Sequence, residues 1–205
     1  MLASVPLGKE IPVSGPQKLV SFVLMCASSV IMAGAQSQTM PGPEVLKLAV
    51  MVGRFTVEDE VKAGAMGPNS PAMKFRGTDD CRWTAGGFAV ICEAALYRPG
   101  TRKYSETSFI CYDPTSQTYQ YHAVDSSGAI ESKTGTVNGD VWTWLGESIF
   151  AGKPYHTRYT MKFVSADSYE YTDESGESES SMKVFVSGKE TRVAATKPAK
   201  SQSAQ

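Results

Sequence analysis

Histidine is almost missing from this chain, with two in 205 residues. Cysteine is sparse too, and the four present show none of the spacings that hold a structural metal ion. There is no Gly-rich phosphate loop and no nucleophile motif, so neither nucleotide chemistry nor acyl transfer is written into the chain. Neither charge dominates: 20 Lys+Arg stand against 21 Asp+Glu, which leaves no basic footprint for a polyanion and excludes nucleic acid as the expected partner. A long apolar run is missing as well. Residues 19–32 make one of about 14 residues, interrupted by Ser21, Ser28 and Ser29, whereas a membrane span needs roughly 20. The acidic stretch over residues 173–179 lacks the ligand spacing of an EF-hand and reads as a solvated hairpin tip.

What is present at the N-terminus is an export signature. Lys9 and Lys18 precede the apolar run, and Ala33-Gly34-Ala35 follows it, the order of a cleavable signal peptide. The expectation is cleavage after Ala35 and a secreted or periplasmic product with no membrane attachment. The organisation that follows is a signal over 1–35, a lead-in over 36–42, one domain over 43–192 and a disordered Lys/Ser/Ala/Gln-rich tail over 193–205. Pro43 and Glu44 suit the first turn of a helix, Val45, Leu46, Ala49 and Val52 follow at helical spacing, and Gly53 ends it.

From residue 55 the pattern changes to alternation. Runs rich in aromatic and β-branched residues at 55–61, 72–84, 87–97, 104–112, 118–125, 129–137, 141–148, 155–165, 168–174 and 181–187 are separated by turn chemistry such as Arg98-Pro99-Gly100, Asp113-Pro114-Thr115 and Asn138-Gly139-Asp140. Short strands in hairpin order predict an all-β fold, an antiparallel up-and-down barrel of about eight to ten strands with one short N-terminal helix. Closure removes the exposed edges of a long open sheet. A sandwich is the alternative architecture.

Alternate residues of a strand share a face. Tyr159, Met161 and Phe163 therefore point one way and His156 the other. By the same parity Phe88, Val90 and Cys92 share a face, as do Phe109 and Cys111, and Trp83 lies with Cys81. Trp142 and Trp144 lie together, Tyr121 lies opposite His122, and for these pairs the inward direction stays open. The expected interior is thus Trp83, Phe88, Val90, Phe109, Tyr121, Trp142, Trp144, Tyr159, Met161 and Phe163. A barrel of this size holds either packed side chains or one small ligand.

If Gly86-Gly87 is a two-residue turn, Ala85 and Phe88 close it, and stepping outward along both strands sets Cys81 opposite Cys92. That pair is within bridging range, and export permits the bond. Cys92 with Cys111 across the next, longer loop is the competing pair, and three reduced core thiols are the remaining alternative.

Leu46, Val52-Gly53-Arg54-Phe55, Arg82-Trp83, Gly86-Gly87-Phe88, Tyr112-Asp113-Pro114 with Tyr119, Asp125-Ser126, Gly135 and Asn138-Gly139-Asp140 together resemble the landmarks of the bacterial domain-of-unknown-function family 1579. The resemblance covers residues 40 to 192 and implies a lipocalin-like β-barrel of the calycin type. It brings no activity with it. Gly53-Arg54-Phe55 stands where such barrels often begin with Gly-x-Trp.

The function expected from these readings is noncatalytic binding of a small apolar molecule inside the barrel, with no cofactor. Two alternatives stand beside it. One is an enzyme at the barrel mouth using His122, Asp125 or a tyrosine as acid or base. The other is a haem-binding barrel, against which the outward His156 already counts.

Overall fold

Alternating strands joined by short turns have one economical way to satisfy every backbone group, which is to pair each strand with the next and the last with the first. The computed structural model shows this arrangement and describes residues 40–100 and 103–194. The expected signal segment and most of the expected tail lie outside the described residues. The strands are β1 (Gly53–Val61), β2 (Met73–Thr84), β3 (Ala89–Tyr97), β4 (Tyr104–Asp113), β5 (Thr118–Asp125), β6 (Ile130–Asn138), β7 (Val141–Phe150), β8 (Lys153–Ser165), β9 (Ser168–Gly176) and β10 (Lys183–Arg192). All neighbours are antiparallel, and β10 returns to β1 to close the barrel. The fold is therefore all-β and up-and-down, with the sandwich alternative excluded. β10 runs to Arg192 rather than stopping near 187, because its second half is the part that pairs with Phe55 and Val57 of β1.

One end of the barrel is covered by α1 (Pro43–Leu46) and the 3-10 turn Lys47–Met51 that continues it. Proline at the first position needs no N–H partner, and Glu44 favours the positive end of the turn. The tightening to three residues per turn changes which side chains are buried. Val45, Leu48 and Met51 face the barrel, while Leu46 and Ala49, which a 3.6-residue period sets on one face with Val45 and Val52, are exposed.

Beneath this cover lies the apolar core: Leu48, Met51, Phe55, Val90, Ile110, Tyr119, Trp142, Trp144, Met161 and Tyr169. The two tryptophans stack with ring centres 5.9 Å apart, and Tyr119 meets Trp142 edge-on at 4.7 Å. Gly135 makes this possible, since a Cβ there would collide with the Trp144 ring. Phe55 is 1% exposed and plugs the floor. The Arg192 guanidinium lies 4.5 Å from the centre of its ring and donates to the carbonyl oxygens of Val50 and Val52. The last residue of the last strand thus fastens the first strand and the cover together.

The β2–β3 ladder sets Cys81 opposite Cys92, and their sulfurs are joined inside the barrel at 2.00 Å. The connection is a 3-10 turn over Ala85–Gly87, with Ala85, Gly86 and Gly87 all at positive φ. The β3–β4 ladder sets Cys92 opposite Ser108 and Cys111 opposite Ala89, so Cys92 and Cys111 do not meet.

Candidate functional site

The parity that buries Phe55 also buries the residues two and four places further on, and beyond the floor these stop being apolar. On β1 the inward series Phe55, Val57 is followed by Asp59; on β6 Gly135 is followed, toward the far end, by Lys133 and Glu131; on β9 Tyr169 and Tyr171 lead to Asp173. Asp79 on β2, Glu106 on β4 and Glu190 on β10 share the inward face, Asp79 opposite Phe55 and Glu190 between Val57 and Tyr169. The barrel interior is an apolar floor beneath a layer of carboxyl groups and tyrosines.

Part of this layer is satisfied within the chain. Glu106 accepts hydrogen bonds from the hydroxyls of Tyr121 at 2.6 Å and Tyr104 at 2.8 Å. Asp59 accepts one from Tyr171, and Gly188 opens the space for that contact, because a Cβ there would meet both partners. The Lys133 ammonium, its side chain 2% exposed, donates to Glu131 at 2.5 Å and lies 5.4 and 5.5 Å from the ring centres of Tyr121 and Tyr159. Part is not satisfied. Asp79 Oδ1, Thr157 Oγ1, Asp173 Oδ1 and Glu190 Oε2 are buried and have no hydrogen-bond partner in the protein.

Buried carboxyls crowded together resist ionisation. Burial, then the charge of Glu106, pushes Asp59 up to about 7. Burial, with Glu106 and Asp80, does the same for Asp79, also to about 7. Asp173 reaches about 7 through burial, opposed by Lys133. Glu106 and Glu190 are raised as well, each chiefly by burial. At Lys133 burial works to remove the proton, but Asp173, Glu131 and Glu106 outweigh it and hold the ammonium above the ordinary lysine value. Near neutral pH this interior is a set of groups poised to exchange protons around one fixed ammonium.

Of the interior residues named from parity, Val90, Trp142, Trp144 and Met161 are buried in the floor, and Trp83, Tyr121, Tyr159 and Phe163 pack against it. Two lie elsewhere. Phe109 faces outward and is 38% exposed, with Cys111 on the same outer face, because the β3–β4 register differs by three residues from the one that would have opposed Cys92 and Cys111. Phe88 sits in the turn after Gly87 and borders a groove of about 250 Å³ outside the barrel end, with Pro43, Val45 and Tyr112. His122 is outward and exposed, its Nδ1 2.8 Å from Ser132 Oγ, and His156 is outward opposite Glu147. Asp125 is occupied by its own turn, accepting from Ser127 and Ala129. These placements remove the basis for a mouth active site built on His122 and Asp125, and for a haem held by an interior histidine.

Among the described residues, the one place where three possible metal-ligand atoms come within 4.8 Å joins Asp79 to Cys81 and Cys92, whose sulfurs are committed to the disulfide. None of their helices is long and apolar enough to cross a membrane.

Comparison with solved structures places this barrel beside two others. It is similar to Rv2717c from M. tuberculosis, at 13% identity and a TM-score of 0.55, covering 76% of this chain and all of that one. It is also similar to the S-type phycobiliprotein lyase CPES from Guillardia theta, at 10% identity and a TM-score of 0.50, covering 71% of this chain and 94% of that one. At such identities the likeness is one of fold. Comparison of the sequence with curated proteins finds no match. The family model does match: over residues 40–192 the chain belongs to the DUF1579 family, proteins of unknown function.

Proposed function

We propose that this protein is an exported, noncatalytic binder that holds one small molecule in the polar layer of its barrel. The observation that carries this reading is the set of buried, inward polar atoms without partners, at Asp79, Thr157, Asp173 and Glu190. An unpaired buried polar atom costs about 1–3 kcal/mol, and proteins leave few of them unless a ligand or water completes the site. The sequence reading favoured an apolar molecule. The apolar floor, however, is closed by its own side chains, with Trp144, Phe55, Leu48 and Val90 below 2% exposure, and the inward atoms left without partners lie among the carboxyls. A polar ligand suits that layer better than an apolar one.

Native mass spectrometry of protein purified from its own host tests the reading. The expected result is a second charge-state series displaced by the mass of a small molecule and abolished by denaturation. A single series at the chain mass, together with no saturable binding of any compound from a host extract, would refute it.

A further inference from the structure

Asp59, Asp79, Glu106, Glu131, Asp173 and Glu190 all turn toward the barrel axis, and the cation set among them is Lys133. Arg192 is used at the floor, on Val50, Val52 and Asp167. Lys133 shows what this layer of side chains accepts. Its ammonium is held by a carboxylate on one side and by the faces of Tyr121 and Tyr159 on others, the combination that recognises amines elsewhere in chemistry. A second and separate observation extends the site past Lys133. Glu190, 6% exposed, and Thr157, 4% exposed, each carry an oxygen with no partner, and Asp79 and Asp173 do the same.

We propose that the ligand of this barrel is a small organic polycation, a short diamine or its guanidino equivalent, whose N–H groups fill the acceptors that Lys133 leaves open. The proposal rests on the ligand-binding reading above and names its ligand class. A metal ion fits less well. The carboxylate oxygens do not converge to the few ångströms that a metal requires, whereas a flexible cation with separated nitrogens reaches several of them in turn. An anion would meet carboxylates in every direction.

The same geometry dictates how binding responds to pH. Several interior carboxyls keep their protons up to about neutral pH, since burial opposes their charge, and an arriving ammonium favours the charged form and expels the protons to solvent. The buried phenols that face them, Tyr104, Tyr121, Tyr159 and Tyr169, are held above the ordinary tyrosine value by burial and stay neutral. Lys133 stays charged, so its repulsion of the guest is present throughout.

Isothermal calorimetry of the ligand-stripped full chain with putrescine, with 1,4-butanediol as the uncharged analogue and with calcium chloride, tests the proposal. Putrescine should bind saturably and the diol should not. Putrescine affinity should rise by about tenfold per pH unit for each proton displaced between pH 6 and 7, and the heats measured in two buffers of different ionisation enthalpy should show that proton release. Glu190→Gln, checked for native circular dichroism, should weaken putrescine by about tenfold or more; if that variant does not fold, Asp173→Asn serves instead. Lys133→Met should strengthen it, an outcome that a purely structural lysine would not give. Equal binding of the diol, tighter binding of calcium, or pH-independent binding would overturn the cation proposal. If a neutral or anionic compound co-purifies and putrescine does not bind, the cation proposal falls while the binding reading stands. If nothing binds, both fall.

Discussion

Replacing Asp59 by asparagine isolates one interior charge. The carboxyl titrates near 3.8 when free and at about 7 in the barrel, where burial and then the charge of Glu106 oppose ionisation. Because the folded value lies above the unfolded one, the folded state binds the extra proton, and stability falls as pH rises through this window. Each pKa unit is worth 1.36 kcal/mol. At pH 8 the ionised group costs the fold about 4 kcal/mol, while at pH 5 the unfolded carboxylate is ionised and the folded one is not, so the cost is about 2 kcal/mol. The substituted amide keeps an oxygen to accept from Tyr171 and cannot ionise. Any penalty for its added N–H groups is the same at both values of pH and cancels in the comparison. Urea unfolding of both proteins at pH 5 and pH 8 should therefore show the variant gaining on the parent by about 2–3 kcal/mol across that interval. A difference that does not change with pH, or that favours the parent at pH 8, would refute the account of the interior.

Other consequences are simpler to check. Cys81→Ala with Cys92→Ala opens a loop of sequence separation 11 and should cost about 3 kcal/mol in chemical denaturation, with peptide mapping of the parent under non-reducing conditions recovering the cross-linked pair and an alkylatable Cys111. Gly135→Ala drives a methyl group into the Trp144 ring and should cost about 1–3 kcal/mol, visible as a lower urea midpoint and a changed tryptophan emission. His122→Gln and His156→Gln should each leave stability within about 1 kcal/mol, since both side chains lie on the outer wall. Intact-mass analysis of protein from its native host should give a chain beginning at Gln36; recovery of a full-length, membrane-extracted chain would defeat the export reading.

The barrel was legible in the sequence because hairpin order and turn chemistry are local signals. Ten alternating runs, each bounded by Gly, Pro, Asn or Asp, leave little freedom in which strand pairs with which. The β2–β3 register was readable for the same reason: the link from Thr84 to Ala89 is short, and its two glycines mark the turn. Across the longer link from Tyr97 to Tyr104 the register could not be counted, and a shift of three residues put Phe109 and Cys111 on the outer wall. The carboxyl layer was missed for a different reason. Asp59, Glu106, Asp173 and Glu190 each share strand parity with an inward aromatic, aliphatic or glycine residue, so the alternation already held the signal. Reading residues 173–179 as a solvated hairpin tip hid Asp173, the expected interior named only apolar and aromatic residues, and closure of the barrel is what turns the remaining acids of that parity inward. At the helix the period itself misled. Turning three residues per turn instead of 3.6 exchanges Leu46 and Ala49 for Leu48 and Met51.

The clasp made by Arg192 has a kinetic meaning. Every ladder but one joins strands that are neighbours along the chain, and such hairpins close small loops quickly. The exception is the seam between β1 and β10, where Thr56 bonds to Thr191 across 135 residues. That contact waits until the intervening strands are ordered, and its loop-closure cost is the largest in the molecule. Arg192 stands at the end of this seam and binds carbonyls of Val50 and Val52, backbone groups that no strand partner reaches. A sheet that has rolled up but not yet closed acquires, in one side chain, both the stop that fixes the register of its two edges and the bolt that holds its end cover in place. The final step of folding is thereby the one that seals the floor.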